Sequence, residues 1–351
     1  MDPVEIQRME DSVMNKKLKG LPKAITTITP QRISFFGGGT DLPAYYKEHG
    51  GGVISTAINQ YVYVTVKRHS PLFQEEYRLS YSKTEHTDKL DDIENSIARE
   101  CLRLIGLESP IYMSTAADLP AASGLGSSSS FAVGLLHALH LLKGERVSPA
   151  QLAEEACEVE INILRNPIGK QDQYAAAFGG LNHIKFRKNG RVDIDHIVAQ
   201  NQLIDTLFEN SLLIWTGIQR NASTVLAEQS KNIKNQTLGY NSLLADLEEC
   251  KKMLLQHNSN FLNLFGGLLD KSWETKKNLE SSVSSNVIDS MHGELKKLGS
   301  LGGKLCGAGG GGFLFEIVPV ESQNKIIELY GNKRIVKVSA EPLGSRLLSE
   351  V

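Results

Sequence analysis

Cysteine is scarce in this 351-residue chain: Cys101, Cys157, Cys250 and Cys306 stand far apart, with no CxxC pair and no zinc-type cysteine and histidine spacing. Neither a disulfide framework nor a structural metal is expected, and a reducing cytoplasm is the expected setting. Neither sign of charge prevails, since 38 Lys and Arg face 40 Asp and Glu for a formal net charge of -2. Without a basic field the chain has no general attraction to phosphate backbones or anionic lipid, so neither nucleic acid nor a membrane is an expected partner. Long apolar runs are missing too. The longest, residues 131–142, is broken by His137 and His140 and is too short to span a bilayer. Residues 1–21 mix acids and bases around no apolar segment, and read as an extension that is neither signal peptide nor anchor.

Several catalytic templates are also absent. The nine histidines form no HExxH, and no GxSxG elbow marks a serine hydrolase. A GxxxxGK[ST] loop fails because Leu305 follows Gly303-Lys304 and Leu298 stands where the first glycine belongs. Residues 307–312 satisfy GxGxxG in form, but the strand-like GFLFEIV follows where a dinucleotide fold needs a helix.

What is present is an ordinary globular composition, 41% hydrophobic with 31 glycines, long enough for two domains with a cleft between them. The pattern reads as α+β, with domains over 22–200 and 201–351. A strand AITTITPQRIS enters the turn FFGGGTDL; GVISTAI and YVYVTVKRH read as two paired strands parted by Asn59-Gln60. Residues 91–105 have helical spacing, IYMSTAADLP is a strand, and helices fill 127–165. The strands LNHIKFR, VDIDHIV and SLLIWTG precede a helix-rich remainder, which ends in a glycine run, the strand GFLFEIV, a helix near 321–330 and the strand RIVKVS.

Three segments could carry chemistry. Residues 118–130, DLPAASGLGSSSS, place glycine and serine at the start of an amphipathic helix, where unpaired N–H groups and the helix dipole favour a phosphate. A serine merely capping the helix is the alternative. On the helix 153–164 the apolar stripe Ala153, Ala156, Cys157, Ile161, Leu164 carries Glu160 inward, while Glu154, Glu155 and Glu158 point elsewhere. An inward carboxylate needs a partner or a metal, and with serine and phosphate oxygens it makes a hard ligand set suited to Mg²⁺. After Asn166-Pro167, Asp172 lies in an expected loop, either as a proton acceptor for a substrate hydroxyl or as the N-cap of a short helix. In the glycine turn Asp41 is suited to sugar hydroxyls, and Arg32 to charge on a transferred phosphoryl group. The 307–312 run offers side-chain-free backbone, with Lys304 and Cys306 at its entrance, or is only a tight turn.

Taken together, PxRISFFGGGTD (residues 30–41), SGLGSSSS (123–130) and KLCGAGGGG (304–312) resemble, in order and separation, the three motifs of the GHMP small-molecule kinases. The resemblance covers residues 22–351. It implies an N-terminal domain like ribosomal protein S5 domain 2, a ferredoxin-like C-terminal domain, and ATP with its acceptor in the cleft. By position, it implies Ser128 and Glu160 as Mg²⁺ ligands, with Ser123, Gly124, Leu125, Gly126, Ser127, Ser128 and Ser129 as the triphosphate cradle, and Gly309 and Gly310 against the nucleotide. Asp172 resembles the family's base, paired with Arg32. Asp41, with Gly38, Gly39 and Thr40, resembles the sugar-holding turn, although the two glycines stand where galactokinases carry an acid and an imidazole. FFGGGTDLPAYY, IGKQDQYAAAFGG and WTGIQRNAS are most similar to kinases acting on the anomeric hydroxyl of a heptose 7-phosphate, with fucokinase-like enzymes the neighbouring choice. If the acceptor already carries a phosphate, Lys170 and Arg220 are the nominees to meet it. A homodimer is left open. A silent sugar and ATP sensor is the alternative from another class, against which the set Ser128, Glu160 and Asp172 argues.

Overall fold

The β-branched and aromatic run AITTITPQRISFF extends as strand β1 (Ala24–Phe36) in a computed structural model of the chain, which describes residues 20–351 except 71, 200, 201, 220, 221 and 257. The extension expected over 1–21 thus falls almost wholly outside the described residues, as does Arg220. After helix α1 (Pro43–His49), β2 (Gly51–Arg68) pairs antiparallel with β1 from end to end. The two strands expected around Asn59-Gln60 are therefore one. There the register passes from Pro30 opposite Tyr61 to Gln31 opposite Ile58, so Asn59 and Gln60 bulge out beside a proline that has no N–H for the ladder.

Strands β3 (Tyr77–Ser80) and β4 (Thr84–Thr87), helix α2 (Ser96–Ile105) and β5 (Ile111–Ala117) follow. Helices α3 (Ser127–Lys143), α4 (Pro149–Cys157) and α5 (Gln171–Phe178) lead to the hairpin β6 (Leu181–Phe186) and β7 (Val192–His196). The first sheet runs β12-β1-β2-β5-β3-β4, with β6 and β7 added along β2; its β12 (Arg346–Glu350) is supplied by the end of the chain. One face is covered by α2 to α5, whose apolar stripes bury Ala98, Cys101, Leu135, Leu139, Leu152 and Ala156 against Val64, Val66 and Met113.

Helix α6 (Leu203–Glu209) leads into a second sheet of β8 (Ser211–Trp215), β9 (Gly302–Leu305), β10 (Phe313–Ile317) and β11 (Ile335–Val336), all antiparallel in the order β11-β8-β10-β9. Counted along the chain that order is 4-1-3-2, the ferredoxin-like arrangement. Its helices are α7 (Ala222–Asn232), α8 (Thr237–Leu255), α9 (Phe261–Leu279), α10 (Asn286–Lys297) and α11 (Val320–Tyr330). The C-terminal end of β1 belongs to this layer's core: Phe35 and Phe36 meet the Phe265 ring at centroid distances of 5.4 and 5.5 Å. That contact fixes the glycine turn after β1 beneath α8 and α9, and so sets the cleft.

Candidate active site

Gly126, at φ 79°, takes the N-cap of α3, and no side chain caps the helix. The capping alternative for the serines therefore falls away, and Ser128, Ser129 and Ser130 are directed to other partners. Ser130 Oγ donates to the Pro30 carbonyl at 2.8 Å, joining the helix to β1. Ser128 and Ser129 hydroxyls each donate to a different oxygen of Glu160, both at 2.7 Å, and Gln173 Nε2 donates to the same carboxylate at 2.7 Å. The first N–H groups of a 17-residue helix, beginning at Ser127, border the cleft, where an anion is favoured.

Glu160 is fully buried, as its place on the stripe predicts, although the helix expected over 153–164 ends at Cys157. A π turn, Glu158–Ile163, takes over and keeps Glu160 inward while Glu154 and Glu158 are exposed; such turns recur at functional sites. Burial raises the Glu160 pKa, opposed by its three neutral donors and reinforced by the nearby Asp172. Among the described residues, the buried carboxylate thus has donors but no cation.

Asp172 is neither in a loop nor at an N-cap. Helix α5 starts at Gln171 behind an N-cap at Lys170, and the Asp172 carboxylate is drawn to a guanidinium instead. Arg32 binds it two-fold, Nε to Oδ1 at 2.8 Å and Nη2 to Oδ2 at 2.6 Å, and Nη1 donates to the Gly124 carbonyl at 2.6 Å. This planar fork fixes the carboxylate and ties it to the serine loop.

In the glycine turn, Asp41 accepts from the Gly39 N–H and from Gln171 Nε2, both at 3.0 Å. Burial raises its pKa, and Asp172 adds to the rise. Thr40 points away from the cleft: its hydroxyl lies 2.8 Å from the Gly37 carbonyl and accepts from the Gly52 N–H at 3.1 Å, pinning the turn to β2. Gly38 and Gly39 are overlain by the second layer, with Lys276 Nζ 3.8 Å from a Cβ at residue 38 and the Tyr240 ring 2.9 Å from one at residue 39.

A cavity of about 520 Å³ brings together Arg32, Asp41, Asp172, Glu160 and the loop from Gly124 to Ser129. Beneath that loop Leu125 is buried, and Ser123 is packed on β10, its carbonyl accepting from the Phe313 N–H at 3.2 Å. The glycine run reaches the cavity at Gly307 and Ala308; Gly309 and Gly310 lie against Val283 instead. Lys170 is turned to the β6–β7 hairpin, donating to the Gly190 carbonyl at 2.9 Å. Lys304 is not at an entrance but buried in β9, donating to the Ser34 and Phe35 carbonyls.

Lys276 of α9 was missed. It is buried, lines the cavity and donates to the Gly307 carbonyl at 2.8 Å. The signal was there, because Lys276 follows Phe265, Leu269 and Trp273 on the buried stripe of α9, the same argument that singles out Glu160.

The GHMP kinases N terminal domain matches residues 94–180, and the GHMP kinases C terminal domain matches residues 246–331. Over 319 residues the chain is 32% identical to the D-glycero-alpha-D-manno-heptose 7-phosphate kinase of Campylobacter jejuni subsp. jejuni serotype O:2, a match covering 87% of this chain and 92% of that one. It is 28% identical over 336 residues to the L-fucokinase/L-fucose-1-P guanylyltransferase of Bacteroides fragilis, covering 82% of this chain and 34% of that one. Among solved structures, a D-glycero-D-manno-heptose 1-phosphate kinase from Bacteriodes thetaiotaomicron has the same fold, with a TM-score of 0.69 at 24% identity over 93% of this chain and 99% of that one. The chain belongs to the GHMP kinase family, with that family's two-domain fold. It is a phosphotransferase with an alcohol group as acceptor, a sugar kinase of the family. Among the described residues, no helix is long and apolar enough to cross a membrane.

Proposed function

We propose that this sugar kinase transfers the γ-phosphoryl group of ATP to the anomeric hydroxyl of D-glycero-D-manno-heptose 7-phosphate, giving the 1,7-bisphosphate. The similarity to the Campylobacter jejuni kinase supports the substrate. The observation that carries the chemistry is the Arg32–Asp172 fork, hydrogen-bonded to the serine loop at Gly124 and facing the cavity beside Asp41. The first-turn N–H groups of α3 hold the triphosphate, and Gly124 and Gly126 let its oxygens approach the backbone. Asp41 holds sugar hydroxyls. Asp172 orients the anomeric hydroxyl in line with the terminal phosphorus and takes its proton as the new O–P bond forms and ADP departs. The two-fold hold of Arg32 keeps both carboxylate oxygens of Asp172 in a fixed orientation at the cavity.

Magnesium suits the residues present: the Ser128 hydroxyl and the Glu160 carboxylate are hard oxygen donors, and among the described residues Glu160 is buried between neutral partners with no cation of its own. When bound, the ion would neutralise charge on the phosphate oxygens. The same proposal divides the chain near residue 200, with 22–200 holding the phosphates and 201–351 covering the acceptor.

Sugars and sugar phosphates offered with ATP and Mg²⁺, with ADP release followed and products placed by phosphorus NMR, test the reading. The expected result is a second phosphate at C1 of the heptose 7-phosphate. Fucose 1-phosphate as the main product would move the enzyme to the fucokinase side, and absence of ADP release with every acceptor would point to a silent sensor.

A further inference from the structure

We propose that Lys276 is a substrate-contacting residue of this site, its ammonium group holding the acceptor oxygen and the phosphoryl group that arrives on it. The inference rests on the kinase reading above and adds a residue that none of the three motifs contains. An ammonium has three N–H donors. Lys276 uses one on the Gly307 carbonyl, has no carboxylate within ion-pair distance among the described residues, and lines the cavity with Asp41, Arg32 and Asp172. A buried ammonium left with one neutral partner costs free energy that packing alone does not return.

Lys304 makes the contrast. It too is buried, but it has two carbonyl partners and stays off the cavity. Nor can the fork supply the missing positive charge, since Arg32 spends its Nε and Nη2 donors on Asp172, and the pair is neutral as a unit. Among the described residues, negative charge developing on the transferred group therefore finds a cation not spent on a carboxylate on the acceptor side at Lys276. The glycine turn packs closely on the amine: a Cβ at residue 38 would lie 3.8 Å from Nζ, in van der Waals contact with it.

The ionisation of this amine gives the hypothesis a second handle. Burial pushes its pKa down to about 8. The groups facing it are Asp41 in the turn, Arg32 on β1, Asp172 on α5, Cys306 after β9 and Lys304 within β9; the two acids and the thiol favour the charged form, and Arg32 opposes it. The ammonium is present below that value and is lost above it, so kcat/KM for the acceptor falls as pH rises through about 8.

The test is steady-state kinetics of the full chain with the best acceptor of the panel. A wild-type protein that releases no ADP with any acceptor overturns the kinase reading itself. With an active wild type, Lys276→Met is expected to lower kcat/KM for the acceptor by roughly 10²–10³ while KM for ATP stays within about threefold. The alkaline limb disappears in that variant and moves upward in Lys276→Arg, which recovers part of the rate. An acceptor kcat/KM within about threefold of wild type, with the limb unmoved, overturns the inference. So does an equal loss of ATP and acceptor affinity accompanied by a lowered melting temperature, the signature of a residue that only packs.

Discussion

Arg32 and Asp172 lie 140 positions apart in sequence, and each is set by a different element, yet the two meet in a two-fold hydrogen-bonded pair in the cleft. Asp172→Asn keeps the shape and removes the charge. Its kcat is expected to fall by roughly 10²–10⁴, the contribution of a proton acceptor, with KM for ATP nearly unchanged. A wild-type kcat would leave Asp172 as no more than the anchor of Arg32. Glu160→Gln should raise the Mg²⁺ concentration for half-maximal rate by at least tenfold or so, while the metal-free protein melts no lower than wild type, because an uncompensated buried charge has gone. An unchanged metal titration contradicts the ligand assignment. Glu160 was legible because a charge on an apolar stripe is visible in sequence; Lys276 carries the same mark. The orientations of Thr40 and Lys170 were not legible. Thr40 is turned by the Gly52 backbone and Lys170 by the Gly190 carbonyl, partners that only the fold brings close.

At the level of elements, apolar alternation located β1, β2, β5, β6, β8 and β10, but not where pairing is interrupted. Asn59-Gln60 has the composition of a turn; it is a bulge because β1 continues opposite it on both sides of Pro30. The departure of Glu158–Ile163 from α-helical winding has no cue in spacing, since Glu160 faces inward under either geometry. The second layer holds a further feature that no local pattern marks. His292 on α10 bridges Glu316 of β10 at 2.7 Å and Asp270 of α9 at 2.6 Å. Burial alone would push its pKa down, but the two carboxylates overcome that and raise it from 6.5 to about 10. A raised histidine contributes stability that is full below 6.5 and lost as pH rises through about 10. His292→Gln is therefore expected to cost about 3–5 kcal/mol near pH 6, as for one partner lost from a buried pair, with the difference shrinking toward pH 10. Urea denaturation at pH 6, 8 and 10 checks this; a difference independent of pH contradicts it.

On the scale of the molecule, the serine loop and the glycine run are one seam between the two sheets. A Cβ on Gly124 would fall 2.5 Å from the Cys306 carbonyl oxygen, one on Gly312 would fall 2.4 Å from that of Ser123, and the Phe313 N–H donates to the same Ser123 carbonyl. Glycine is required here for closeness of backbones as well as for positive φ, which explains a run whose centre stays off the cavity. Gly124→Ala meets both obstacles, at φ 80°, and is expected to lose roughly 1–3 kcal/mol of stability and to weaken ATP binding together; unchanged values of both would show that the seam yields freely. The two-layer arrangement was legible from the order of strands and helices, whereas the return of β12 to β1 was not, because its partner lies more than 300 positions away.

The most direct measurement is a crystal structure of the protein with a nonhydrolysable ATP analogue and Mg²⁺. The account predicts the analogue's phosphates on the N–H groups of the first turn of α3, the metal touching Ser128 and Glu160, and the terminal phosphorus facing Asp172. An analogue bound elsewhere, with that helix start bare of phosphate, would contradict it.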